Sequence, residues 1–158
     1  MNRVYGTVAA RRVVLAGFVA GIICSLIGTQ IMGEFGPLVT VRIAIGSGLA
    51  FLIAQMLDVG IFAVLRNGSW WKAPLVSTLI GSSVDTVIFF SIAFSGVFSF
   101  IHPATDVSWA SEALPLLGSG PEAPLWVSLA VADWAVKLSL ALLALVPFRI
   151  ITARLRAA

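Results

Sequence analysis

The chain has 158 residues, 59% hydrophobic and 11% charged, with a mean hydropathy of +1.05 and a formal net charge of +3. Soluble domains carry about 25% charged residues, so this composition belongs in lipid. The lone cysteine, Cys24, and the lone histidine, His102, exclude an internal disulfide framework, a Cys-rich metal site and a His-pair zinc centre within one chain.

Taken in order, the first apolar run is Val13–Met32, 20 residues, about 30 Å as a helix and enough to span a bilayer. Arg3, Arg11 and Arg12 precede it, as in a signal peptide. No small-x-small cleavage site follows, however, and Ile23 before Cys24 fits a lipoprotein site poorly. The run reads as a retained helix, with Gly17 and Gly21 as a packing notch and Cys24 as core filler. Gly33, Gly36 and Pro37 break the chain before the second run, Leu38–Leu65, which has Arg42 near its start and Arg66 closing it. Asn67-Gly68 breaks it again before the third run, Pro74–Ile101, whose Pro74 suits a first helical turn. Residues 102–124 form the one long connection, without Lys or Arg; they are expected to hold a short interfacial helix around Val107–Leu117 with Trp109 at headgroup level. The fourth run is Leu125–Phe148, with Pro147 near its end. The fold class predicted is an all-α integral membrane protein, one transmembrane domain over 1–158 with four transmembrane helices.

The basic residues orient the bundle. Arg3, Arg11 and Arg12, then Arg66 and Lys72, then Arg149, Arg154 and Arg156 all fall on one side if four helices alternate. Glu34, Asp106, Glu112 and Glu122 fall on the other, with only Arg42 near them. Both termini are therefore expected in the cytoplasm. This pattern of charge at helix ends also argues against a nucleic-acid partner, despite the net charge of +3.

Polar residues inside the apolar runs carry the functional signal, because an acid at the centre of a membrane helix costs about 2.5 to 3.5 kcal/mol on insertion scales. In the third helix Thr78, Ser82, Asp85 and Phe89 share one face, with Thr86 beside it. Ser47, Gln55 and Asp58 form a stripe in the second helix, and Asp133 and Lys137 are an i, i+4 pair in the fourth. Bundled together, these stripes would line one internal cavity. Blander readings exist for some members. Thr78 and Ser82 could bond back to their own backbone, Asp133 and Lys137 could simply neutralise each other, and Arg42 could snorkel to the interface. Asp58 and Asp85 are better read as ligand-, ion- or proton-handling groups.

No enzyme motif is present: no H-E-x-x-H, no G-x-S-x-G and no paired Cys/His set. An intramembrane aspartyl protease would need a Gly-x-Gly-Asp signature, where this chain has Ser82-Ser83-Val84-Asp85. Spacing alone leads to a carrier of a small polar solute, with no catalytic residue, metal or cofactor.

The stretches VRIAIGSGLAFLIAQMLDVGIFAVLR (41–66) and WWKAPLVSTLIGSSVDTVIFFSIAFSG (70–96) closely resemble the queuosine precursor transporter family, also called the vitamin uptake transporter family. The matching features are Arg42-Ile43, Gln55-x-x-Asp58, the Trp-rich loop, Ser77-Thr78, Asp85-Thr86, Ile92-Ala93-Phe94 and Asp133-x-x-x-Lys137 with Pro147 ten residues on. The resemblance runs from about Tyr5 to Ile151 and is weakest over 102–124. It implies a multi-pass protein of the bacterial inner membrane that imports 7-cyano-7-deazaguanine and 7-aminomethyl-7-deazaguanine for tRNA modification. In that reading Asp85 or Asp58 takes the purine's pairing edge, Gln55, Ser82 and Thr86 orient the ring, and Phe89 or Trp134 stacks on it. Thr78, Asp133, Lys137 and Arg42 complete the expected substrate-binding set. The resemblance also implies about six membrane helices where this chain carries four. The opening MNRVYG resembles a family segment that follows a second helix, so Met1 is expected to be an internal start with two helices missing. If the chain is this short, a second copy would complete the cavity. Two other readings stay open: the substrate-binding membrane subunit of an energy-coupling-factor importer, and a non-transporting helical scaffold.

Overall fold

The computed structural model describes residues 2–34 and 36–157. Four long helices dominate: α1 (Asn2–Gln30), α2 (Val41–Leu65), α3 (Lys72–Phe94) and α4 (Leu125–Ala157). Each contains a stretch long and apolar enough to cross a bilayer, of 26, 25, 23 and 27 residues respectively. The protein is a multi-pass membrane protein. Helix α1 bends at Gly6, whose φ of +80° lies in the left-handed region that a side chain would strain. A two-residue hairpin, β1 (Met32–Gly33) with β2 (Gly36–Pro37), turns the chain from α1 into α2. There Thr40 caps α2 by accepting a hydrogen bond from the Ile43 amide at 3.2 Å.

The third apolar run divides where it was expected to continue. Helix α3 stops at Phe94; Ser95 is extended (φ −71°, ψ 137°), and its hydroxyl accepts from the Val97 amide to start a 3-10 segment, Gly96–Ile101. Nor is 107–117 a helix. It holds a 3-10 turn at Ser108–Ser111, followed by an antiparallel hairpin of β3 (Ala113–Pro115) and β4 (Glu122–Pro124). The reason is local: Pro115, Pro121 and Pro124 remove backbone donors, and Gly118 takes a φ of +84° at the hairpin tip. Trp109 of that turn packs edge-on against Phe94, ring centres 5.6 Å apart, and so covers the end of α3.

The interior is built on α2 and α3, which approach closely because small residues face each other. A Cβ placed on Gly46 would lie 3.3 Å from the Phe89 carbonyl oxygen, and one on Gly81 would lie 3.4 Å from that of Ala54. Ala50, Ala54, Ala73, Ser77 and Ala93 fill the rest of this seam and are buried. Helix α1 adds Ala10 and Val14 against Val59, and Gly17 admits the Phe51 ring, while Gly21 faces open space. The packing notch is thus Gly17 alone. Cys24, expected as core filler, is exposed on α1. Helix α4 docks on α3, and no residue in the most apolar stretch of α1 or α4 is buried. The outer helices present their apolar faces outward, which suits lipid and would not suit water.

Candidate functional site

Helices α2, α3 and α4 line an open cavity of about 600 Å³. Gln55 and Asp58 reach it from α2, Thr78, Ser82 and Asp85 from α3, and Lys137 from α4. Phe51 and Leu140 supply apolar wall, and Ala54, Gly81, Ala141 and Ala144 leave the room. Helical spacing explains the convergence. Residues four and seven apart lie on one face, so Phe51, Gln55 and Asp58 point one way from α2, as do Thr78, Ser82 and Asp85 from α3.

The charged groups fall into two environments. Asp58 is half-buried, with the Ser77 hydroxyl as its hydrogen-bonding neighbour, and no cation among the described residues pairs with it. Asp85 is held by Lys137, whose Nζ donates to its Oδ2 at 2.6 Å. The same ammonium donates to Asp133 Oδ2 at 2.5 Å and to Thr86 Oγ1 at 3.2 Å. Thr86 in turn donates to Asp133 Oδ2 at 2.8 Å. The i, i+4 pair of α4 therefore does more than neutralise itself: it reaches across to α3 and takes in a second carboxylate.

Other residues picked out from sequence lie elsewhere. Asp133 and Thr86 stand behind Lys137, off the cavity wall. Ser82 faces the cavity while its hydroxyl bonds back to the Leu79 carbonyl at 3.3 Å, and Ser47 bonds back to Ala44. Phe89 lines no part of the cavity; it packs edge-on against Phe90 and Phe94, centroids 5.1 and 6.0 Å away. Trp134 faces a separate, apolar cavity of about 360 Å³ between α3 and α4, and its Nε1 donates to Ser83 Oγ at 2.9 Å. The ring on the polar cavity is instead Phe51, four residues before Gln55 on the same stripe, a position that the spacing offers and that polarity alone does not flag.

Arg42 lines no part of the cavity and does not snorkel outward. It is fully buried, its Nε donating to the Ile92 carbonyl at 3.0 Å and its Nη2 to that of Ser95 at 2.6 Å. These carbonyls end α3, where the helix dipole places partial negative charge. Arg42 staples the start of α2 to the end of α3.

Three comparisons bear on this site. A family model described as "Putative vitamin uptake transporter" matches residues 1–152. The queuosine precursor transporter of Escherichia coli (strain K12) is 38% identical over 103 residues, covering 58% of this chain and 47% of that protein. The probable queuosine precursor transporter of Haemophilus influenzae (strain Rd) is 29% identical over 156 residues, covering 92% of this chain and 58% of the relative. The chain thus spans about half the length of these curated relatives. No solved structure matches it. With nearly its whole length matched, cavity-bearing helices included, the chain belongs to the vitamin uptake transporter family, a family of membrane transporters rather than enzymes.

Proposed function

We propose that this protein takes part in importing queuosine precursors, 7-cyano-7-deazaguanine and 7-aminomethyl-7-deazaguanine, across a bacterial inner membrane, with both termini in the cytoplasm. The observation that carries the reading is Asp58: a carboxylate inside a membrane protein, beside Gln55 on a cavity wall and with no cation among the described residues paired to it. A 7-deazaguanine offers adjacent N–H donors on its pairing edge, which one carboxylate accepts as a pair. Of the two acids, Asp58 suits this better, because Asp85 already receives Lys137. Gln55, with both an acceptor and donors, meets the remaining ring edge, and Phe51 offers the flat face for stacking. A cavity of about 600 Å³ lies within the range of small-molecule sites, about 300 to 1,000 Å³. The names of the two relatives support the choice of ligand.

The test is queuosine content of tRNA in cells that neither make the precursor nor carry their own importer, supplied with 7-cyano-7-deazaguanine and expressing this chain. Restored queuosine is the expected result. Its absence, with the chain present in the membrane and purified chain failing to bind the compound, would overturn the proposal.

A further inference from the structure

Where α3 and α4 cross, two carboxylates share one ammonium, so the cluster carries an excess negative charge at a depth where charge is expensive. Lys137 has spent all three of its donors, on Asp85, Asp133 and Thr86. Asp133 Oδ2 receives two hydrogen bonds, from Lys137 and Thr86. Asp85 receives one, from Lys137, and the second oxygen of each carboxylate has no hydrogen bond from any described residue. Asp85 is also the member of the carboxylate pair that lines the cavity, where water can reach it.

The charged surroundings are few. Asp58 on α2 faces Asp85 across the cavity and adds negative charge. Arg42, the cation of the α2–α3 seam, is bound to Ile92 and Ser95 and contributes no group to the cavity wall. Helix α1 supplies no cavity-lining residue, the 3-10 segments packed on α3 and α4 contain no titratable residue, and Glu122 of β4 is exposed in the loop. No other cation among the described residues pairs with the cluster, and Lys137 lies between the two carboxylates.

We infer that the Asp85–Lys137–Asp133 cluster is the binding site of a coupling proton, and that its occupancy governs the contact between α3 and α4. A proton from the cavity water adds to the free oxygen of Asp85; the neutral carboxyl loosens its hold on Lys137, which stays an ammonium paired one-to-one with Asp133. Helix α4 is the element this would release, because polar bonds to α3 (Asp85–Lys137, Thr86–Lys137, Thr86–Asp133 and Ser83–Trp134) hold it, no residue of its most apolar stretch is fully buried, and its ring contact with α2, Phe148 on Phe62, lies toward its C-terminal end. The α2–α3 pair, locked by close backbone contact, would stay fixed. The inference rests on the carrier reading of the cavity.

The experiment is a spin-label distance measurement on the chain in liposomes, with Val87→Cys on α3 and Leu143→Cys on α4, both sites exposed, in a Cys24→Ser background. Acidification is expected to lengthen the distance. Asp85→Asn should give a distance that does not respond to pH, and Asp85→Glu, which keeps the carboxyl, should restore the response. A pH-independent distance in the parent, or an unchanged response in Asp85→Asn that elutes as a single folded species, would overturn the inference. Binding of 7-cyano-7-deazaguanine to the same liposomes separates the two ideas. Binding without a pH response removes the proton site and leaves the importer reading; a pH response without binding does the reverse.

Discussion

Replacing Arg42 by Met should cost stability and leave ligand recognition alone, although the residue looks like a ligand-binding cation in the sequence. The side chain is fully buried and ties the Ile92 carbonyl of α3 and that of Ser95, just past its end, to α2. A hydrogen bond from a charged donor contributes about 1.5–3 kcal/mol in soluble proteins, whereas interhelical polar bonds in membranes average about 0.6 kcal/mol. Two such bonds therefore bracket the loss between about 1 and about 6 kcal/mol. Met retains much of the buried volume, so the cavity contribution is small. It removes the Arg42 partner of the Ile92 carbonyl, a further penalty of about 1–3 kcal/mol if no water enters. A loss of about 3 kcal/mol is the working value. Arg42→Lys should recover at most half of it, because Nε and Nη2 reach the two carbonyls from one planar fork that a point ammonium does not reproduce. Thermal unfolding in detergent, read beside 7-cyano-7-deazaguanine affinity of the folded fraction, makes the check. A variant that melts like the parent but no longer binds would refute the reasoning and return Arg42 to the site.

Asp58→Asn exchanges one acceptor oxygen for a donor on the cavity wall, and losing a bidentate pair should weaken precursor binding by about 1–3 kcal/mol, roughly 5- to 150-fold by calorimetry; unchanged affinity would remove Asp58 from the site. Gly46→Val should separate α2 from α3, since even the first added carbon would sit 3.3 Å from the Phe89 carbonyl oxygen; the expected loss is about 1–3 kcal/mol, seen as a lower melting temperature, while the same change at Gly21, in open space, should be mild. Trp134→Phe removes the hydrogen bond to Ser83 and should cost about 0.6 kcal/mol; a larger fall in transport than in stability would show that the second cavity matters to function.

The number of membrane helices and their polar stripes were legible in the sequence, since twenty-residue apolar runs and i, i+4, i+7 spacing follow from helix geometry alone. Helix ends were less so. Ser95 stops α3 inside an unbroken apolar run because its hydroxyl caps the next 3-10 turn, a choice that hydropathy does not record. In the loop, Pro115, Pro121 and Pro124 favour a hairpin over the helix that the apolar spacing suggests. For the cavity, spacing placed Gln55, Asp58, Thr78, Ser82 and Asp85 on inward faces. It could not tell which acid Lys137 would choose, because Asp133 is its neighbour in sequence and Asp85 its neighbour only once α3 and α4 cross. Nor could it separate Phe51 from Phe89: both sit on a polar stripe, and packing at the end of α3 draws Phe89 away.

The distribution of small residues and charges gives the bundle an unequal mechanics. Between α2 and α3, backbone meets backbone at Gly46 and Gly81, and Arg42 fastens one end; sliding there would break many contacts at once. Between α3 and α4 the side-chain hydrogen bonds are few, and two of them, Lys137 to Asp85 and to Thr86, come from one ammonium beside the cavity. A transporter needs one rigid wall to define its ligand and one wall that can yield. Asp58 stands on the first, Lys137 on the second, and Asp85 sits on the rigid pair while bonded to the yielding helix. On the proposed reading, ligand recognition and gating are expected to be altered separately, by substitutions at Asp58 and at Asp85. A ligand drawn to Asp58 need not displace Lys137, whereas one drawn to Asp85 would have to.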